Sequence, residues 1–156
     1  MIDIFKNVIV FSITFITLTL FFHFFRFPSV IGESMEPTYY DDERIMVLYT
    51  STLQRNDVAI IWSDDLNEYL IKRVIGCEGD HIEIKDGKLY RNGINLYETY
   101  IKEQDWSKDG YICDIVVPEN EYFVMGDNRN NSADSRMFGT FKKSEVYGKV
   151  LFKIPF

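Results

Sequence analysis

Cysteine and histidine are both scarce in this 156-residue chain, with two of each. Cys77 and Cys113 can at most form a single bridge, which is far from the cysteine framework of a small disulfide-held domain. Basic residues are also in the minority, 17 Lys and Arg against 24 Asp and Glu, giving a formal net charge of -7 and a pI near 4.8. Polyanions are held mainly by clustered Lys and Arg, so nucleic acid is not an expected partner. There is no internal repeat, no low-complexity stretch and no long linker. What is present is a 46% hydrophobic composition, enough to build one compact domain with a short attachment.

The attachment is at the front. Residues 8–25 read VIVFSITFITLTLFFHFF, which as a helix would extend roughly 27 Å, close to a hydrocarbon core of about 30 Å. Lys6 before the run and Arg26 after it can place their charges among lipid headgroups, and His23 falls at the interfacial end. A cleaved leader is the competing reading, but the run is long for one and FRFPSVIG follows it in place of a small-x-small site. A buried helix of a soluble protein would show a polar face, and this run has none. Residues 1–27 therefore read as a membrane anchor, residues 28–156 as the folded domain, and membrane lipid as a partner. The charges flanking the run say little about orientation.

Beyond Pro28 the chain turns to short runs of Val, Ile, Leu and Tyr separated by Asp, Asn and Gly, which spell strands and turns. The expected fold is mainly β, with strands at 44–49, 57–62, 68–76, 81–85, 88–90, 122–126 and 146–152. Asp86-Gly87 and Asn92-Gly93 mark tight turns, because glycine accepts the positive φ they demand. Residues 97–110 show no period and read as loop.

Three segments carry chemistry: GESMEPT at 32–38, LIKRVIGCEGD at 70–80 and GDNRNNSADSR at 126–136. Alone, each has an ordinary structural explanation: a turn, an edge strand with solvated charges, a polar loop. A calcium loop counted from Asp127 fails, since its sixth position is Ser132 where glycine is needed and its twelfth is Phe138 where glutamate is needed. Together and in this order they resemble the boxes of the bacterial type I signal peptidases, and the likeness extends through KEQ at 102–104 and VPENEYFVMGD at 117–127 to nearly the whole chain. The short domain and Gly32 are similar to the Gram-positive members.

The residues themselves fit that chemistry. A serine hydroxyl needs a base to become a nucleophile, and neither His23 nor His81 sits in a triad motif. Lysine remains, but a solvated lysine titrates near about 10.4, and a base at neutral pH needs a depression of roughly two to three units. Burial supplies such a shift. In a strand, Lys72 shares a face with Leu70 and Val74, while Arg73 points the other way and can stay charged.

The resemblance implies a compact β domain of the signal-peptidase type with one transmembrane helix, in a serine endopeptidase that removes signal peptides from exported preproteins after small-x-small motifs. It makes Ser34 the nucleophile, Lys72 the general base and Ser132 the hydroxyl that holds the lysine amine, with Asp127, Asp134 and Arg136 as a supporting network. Asp134 and Arg136 are a candidate ion pair bracing the loop. It places the substrate extended between the segment before Ser34 and the strand before Lys72, with Val30, Ile31, Met35, Leu70 and Ile71 lining its subsites and Met35 and Pro37 at the floor. It puts the catalytic domain on the extracytoplasmic face of a bacterial cell membrane, with the signal peptides of preproteins as partners; neither cofactor nor metal is implied, and the oligomeric state stays open.

The chain departs from the family pattern at Gly32, where some members carry a serine that donates to the oxyanion, so a second donor is undetermined. It departs again at Cys77-Glu78, where Leu-Pro is usual, and at Asp42 and Asn56, which replace turn glycines but tolerate left-handed backbone. The alternatives are a soluble self-cleaving regulator of the LexA type, a non-catalytic signal-peptidase-like chaperone for surface pilins, and a tethered β domain without an active site. The first lacks an anchor, the second should lose Ser34 or Lys72, and the third leaves the three boxes unexplained.

Overall fold

The computed structural model describes residues 2–104, 106 and 112–155. It begins with helix α1 (Ile2–Phe24), which starts earlier than the apolar run because Lys6 and Asn7 are accommodated in its first turns. Ile4–Phe24 is long and apolar enough to cross a membrane, and no part of it is buried against the rest of the chain. The helix is tied directly to the domain: strand β1 (Phe25–Arg26) pairs with β2 (Ile45–Leu48), and the Tyr49 N–H donates to the Phe24 carbonyl at 2.7 Å.

The remaining strands are β3 (Val58–Ser63), β4 (Glu68–Cys77), β5 (His81–Lys85), β6 (Lys88–Arg91), β7 (Ile94–Asn95), β8 (Cys113–Val116), β9 (Glu121–Met125), β10 (Phe141–Lys142) and β11 (Val146–Lys153), with a one-turn helix α2 (Ser135–Phe138) between β9 and β10. They form a seven-stranded sheet in the order β1-β2-β11-β3-β4-β9-β10 and a four-stranded sheet in the order β7-β6-β5-β8. The fold is mainly β, as expected. All seven anticipated strands are present within a residue or two of their expected ends. Residues 97–104 form no strand, in keeping with the loop expected there; Asp105 and 107–110 of that expectation lie outside the described residues. Asp42 and Asn56 both take positive φ. Cys77 and Cys113 are free thiols.

β4 is an interior strand of the large sheet, between β3 and β9. On one side it pairs with β3 through Glu68–Arg73, and on the other it pairs with β9 but only from Arg73 onward. On that side, Glu68–Lys72 therefore presents an open strand edge. Leu70 and Val74 sink into a cluster with Ala59, Ile61 and Val124, whereas Ile71 faces a second cluster with Val30, Met35, Ile45 and Ile60. This alternation is the strand period expressed as packing.

Candidate active site

Lys72 occupies the middle of β4, opposite Ala59 and only 3% exposed. Its Nζ lies 2.8 Å from Ser34 Oγ and donates to the Ile71 carbonyl at 3.0 Å. Burial lowers its pKa to about 8, against the upward pull of Asp134 and Glu68. A neutral amine at that distance can accept the serine proton.

Ser34 sits on the turn after Val30. Its carbonyl accepts the Asn128 N–H at 3.0 Å, and Asn128 Nδ2 donates to the Glu33 carbonyl at 3.0 Å. The N–H of Ser34 makes no hydrogen bond among the described residues, so it is free to donate to a developing oxyanion. Gly32 takes φ +85 and gives its own N–H to Asp41 at 2.7 Å, so it brings no side-chain donor to the site.

The loop after β9 supplies the polar support. Asp127 is fully buried and accepts two hydrogen bonds from Arg73, at 2.8 and 2.6 Å, and a third from Thr38 Oγ1. Asp134, also fully buried, accepts from Arg136 Nε at 2.8 Å, Arg136 Nη2 at 2.9 Å and the Gly126 N–H at 3.0 Å. Burial pushes the Asp134 carboxyl up, but these donors outweigh it and hold the pKa below the usual value. The expected ion pair between Asp134 and Arg136 is therefore formed. The expected bond between Ser132 and the lysine amine is not: the Ser132 hydroxyl donates to Asp134 at 2.8 Å, a charged acceptor two residues away. Ser132 still borders the site, because a Cβ added to Gly126 would meet both Ser132 Oγ, at 2.3 Å, and the Ser34 carbonyl, at 2.5 Å.

A cleft of about 1030 Å³ opens beside the pair, walled by residues 29–34 on one side and Tyr69, Leu70, Ile71 and Lys72 on the other, with Asn131 and Ala133 at its end. Val30, Ile31, Leu70 and Ile71 line it. Met35 does not. It is completely buried in the cluster with Val30, Tyr39 and Ile71, so it holds the wall up from behind.

Similarity to known proteins follows the same elements. The family model described as signal peptidase, peptidase S26, matches residues 1–154. The chain belongs to the signal peptidase family. Signal peptidase I P of Bacillus subtilis subsp. natto is 40% identical over 131 residues, covering 76% of this chain and 71% of that protein. Signal peptidase IB of Staphylococcus aureus (strain COL) is 34% identical across 99% of this chain and 91% of its own length. A crystal structure of a signal peptidase I from Enterococcus faecalis V583 superposes with a TM-score of 0.55 at 35% identity, over 65% of this chain and 98% of that one. Family membership makes the chain a serine endopeptidase of signal-peptide removal.

Several groups that shape this signal peptidase site escape a reading of the sequence. Arg73 follows from strand alternation, but its partner Asp127 does not, because the two meet only through the pairing of β4 with β9. Asn128 is one of several asparagines in its box, and nothing local distinguishes the one that clamps Ser34. Glu98 and Arg129 form an ion pair with side-chain exposures of 5% and 0%. A charged residue in a stretch without period gives no sign of such burial. The Cys77-Glu78 departure is absorbed by a turn in which Asp80 accepts the Cys77 N–H at 2.9 Å and Gly79 takes φ +80.

Proposed function

We propose that this signal peptidase is anchored in the membrane by residues 1–27 and cleaves with Ser34 as nucleophile and Lys72 as general base. The observation that carries the reading is the 2.8 Å approach of a buried, pKa-lowered lysine to a serine hydroxyl at the mouth of a cleft. The neutral amine takes the Ser34 proton, the oxygen attacks the scissile carbonyl, and the Ser34 N–H stabilises the oxyanion. The protonated amine then gives its proton to the leaving nitrogen, and water resolves the acyl-enzyme by the same route. Asp127, Ser132, Asp134 and Arg136 keep the loop, and through it Ser34, in place.

The substrate lies extended between the open edge of Glu68–Lys72 and the segment before Ser34, adding a strand between them. Val30, Ile31, Leu70 and Ile71 border its subsites, which take small residues one and three positions before the cut. The β domain, residues 28–156, stands on the extracytoplasmic face, where the signal peptides of exported preproteins arrive.

Purified enzyme and a preprotein substrate test the dyad. Ser34→Ala and Lys72→Ala should each abolish cleavage while leaving the fold intact, since they delete reactive atoms and little packing. Ser132→Ala should act more mildly, having lost one hydrogen bond to Asp134. Substantial cleavage by either of the first two variants rejects the assignment. Topology has its own check: protease added to intact spheroplasts should digest the β domain, and full protection would place it inside.

A further inference from the structure

The segment following β7 carries no strand among its described residues, yet Glu98, Ile101 and Trp106 in it are all buried. Its polar contacts converge on the two arms of the site. Glu98 accepts hydrogen bonds from Arg129 at both carboxylate oxygens, at 2.8 and 2.6 Å. Arg129 donates in turn to the Gly126 carbonyl at 2.9 Å, and its guanidinium lies 5.1 Å from the centre of the Trp106 ring. Arg129 thereby fixes the residues on either side of Asn128, whose N–H holds the Ser34 carbonyl.

The other arm is the strand of the lysine. The Tyr100 ring packs 4.0 Å from the Arg73 guanidinium carbon, and Arg73 is the neighbour of Lys72 on β4. The Tyr100 hydroxyl donates to Glu98 Oε1 at 2.6 Å. Burial and the nearby Glu98 charge raise the phenol pKa, so it keeps the proton it donates. A third tie runs from the Lys102 N–H to the Asp127 carbonyl at 2.9 Å.

We infer that Glu98 and Tyr100 are positioning residues for the serine and lysine: one segment holds the clamp on Ser34 through Arg129 and the strand of Lys72 through Arg73. The inference rests on reading those two residues as nucleophile and base. A buried ion pair seldom adds much net stability, because desolvating both charges offsets their attraction. What it does supply is orientation, and a reacting pair must be held within about 0.5 Å of its working geometry.

The test uses the full-length enzyme and a peptide with Ala one and three residues before the cut, comparing Glu98→Gln, Tyr100→Phe and Ser34→Ala. Glu98→Gln leaves the Arg129 charge buried without its countercharge and lowers stability, so rates are taken per folded molecule. Tyr100→Phe removes only the hydroxyl and keeps the ring on Arg73. The expected result is a fall in kcat of about 10- to 100-fold for Glu98→Gln and about threefold to tenfold for Tyr100→Phe, each with KM within about threefold of wild type. A lower Tm with unchanged kcat per folded molecule in both variants would overturn the inference, as would a change confined to KM. A loss in Glu98→Gln alone removes Tyr100 from it. If Ser34→Ala remains active, the dyad reading itself falls; if Ser34→Ala is dead and the other two behave as wild type, only the positioning role does.

Discussion

The N–H of Asn128 donates to the carbonyl of Ser34 at 3.0 Å, which makes the position of Ser34 a property of the strand that leads to Asn128. That strand is β9, and β9 is paired with β4 from Met125 opposite Arg73 onward. Lys72 is the next residue along β4. Ser34 and Lys72, far apart in sequence, are thus joined by one short path of ladder bonds and one loop contact. Neither side chain needs to search for the other, so little orientational entropy remains to be lost at the moment of reaction.

Gly126 is the hinge point of that path, and it tolerates no side chain. A Cβ there would stand 2.3 Å from Ser132 Oγ and 2.5 Å from the Ser34 carbonyl oxygen, and one of the two contacts is backbone that cannot rotate away. Gly126→Ala should therefore cost about 1 to 3 kcal/mol of stability and, by displacing Ser34, roughly 10²-fold in kcat. Thermal denaturation and steady-state kinetics on the same sample check both. A wild-type rate would mean that Ser34 does not depend on close approach at Gly126.

Lys72 ties activity and stability to pH in the same direction. Its folded pKa is lowered from 10.5 to about 8, so the acidic limb of kcat/KM should rise with a midpoint near 8. For stability, the unfolded chain keeps the proton between pH 8 and 10.5 while the folded chain has released it. Stability from this group therefore increases with pH across that window, and the full cost of burying a charged lysine is felt below it. A shift of this size corresponds to about 3 kcal/mol. Lys72→Met should be inactive yet more stable than wild type at pH 6.5 by up to that amount, with the advantage fading towards pH 10.5. Denaturant titrations at the two pH values decide it; an unchanged or reduced stability at pH 6.5 would show that the amine is well solvated or fully compensated.

The sequence made some of this legible for definite reasons. Strand β5 was readable to its ends because His81–Lys85 alternates and is bounded by Asp80 and by Asp86-Gly87. Lys72 and Arg73 separate to opposite faces because strand alternation is a local rule. Phe25–Arg26 was hidden because its apolar start continues that of α1, so nothing marks where helix becomes strand. Ser132 could be placed near the lysine by resemblance, but whether its hydroxyl turns to the amine or to Asp134 depends on loop geometry. Met35 looked like a pocket residue because it follows the serine, whereas its side chain turns into the core. Glu98 was illegible because burial of a loop carboxylate is decided by its partner Arg129, 31 residues away.

In the proposed reading, substrate choice follows from the two walls of the cleft, the open edge of Glu68–Lys72 and the segment before Ser34. An extended peptide between Glu68–Lys72 and the segment before Ser34 points alternate residues the same way, so positions one and three before the cut face one wall. That wall includes Val30, 3% exposed, and Ile71, 9% exposed, both backed by packed core and with Met35 behind them. Such residues cannot retreat without opening the cluster of Ile45, Ile60 and Met35, and overpacking of this kind costs about 1 to 3 kcal/mol per site. If felt in the transition state, that is roughly a tenfold to hundredfold loss in kcat/KM. Matched peptides with Ala, Leu or Lys before the scissile bond should be cleaved in the order Ala far above Leu, with Lys poorest, since its charge would be desolvated without a fixed partner. Equal kcat/KM for Ala and Leu would show that the wall yields freely. A preference for Lys would mean that an acidic group such as Glu68, which lines the same cleft, sets the specificity in place of the apolar wall.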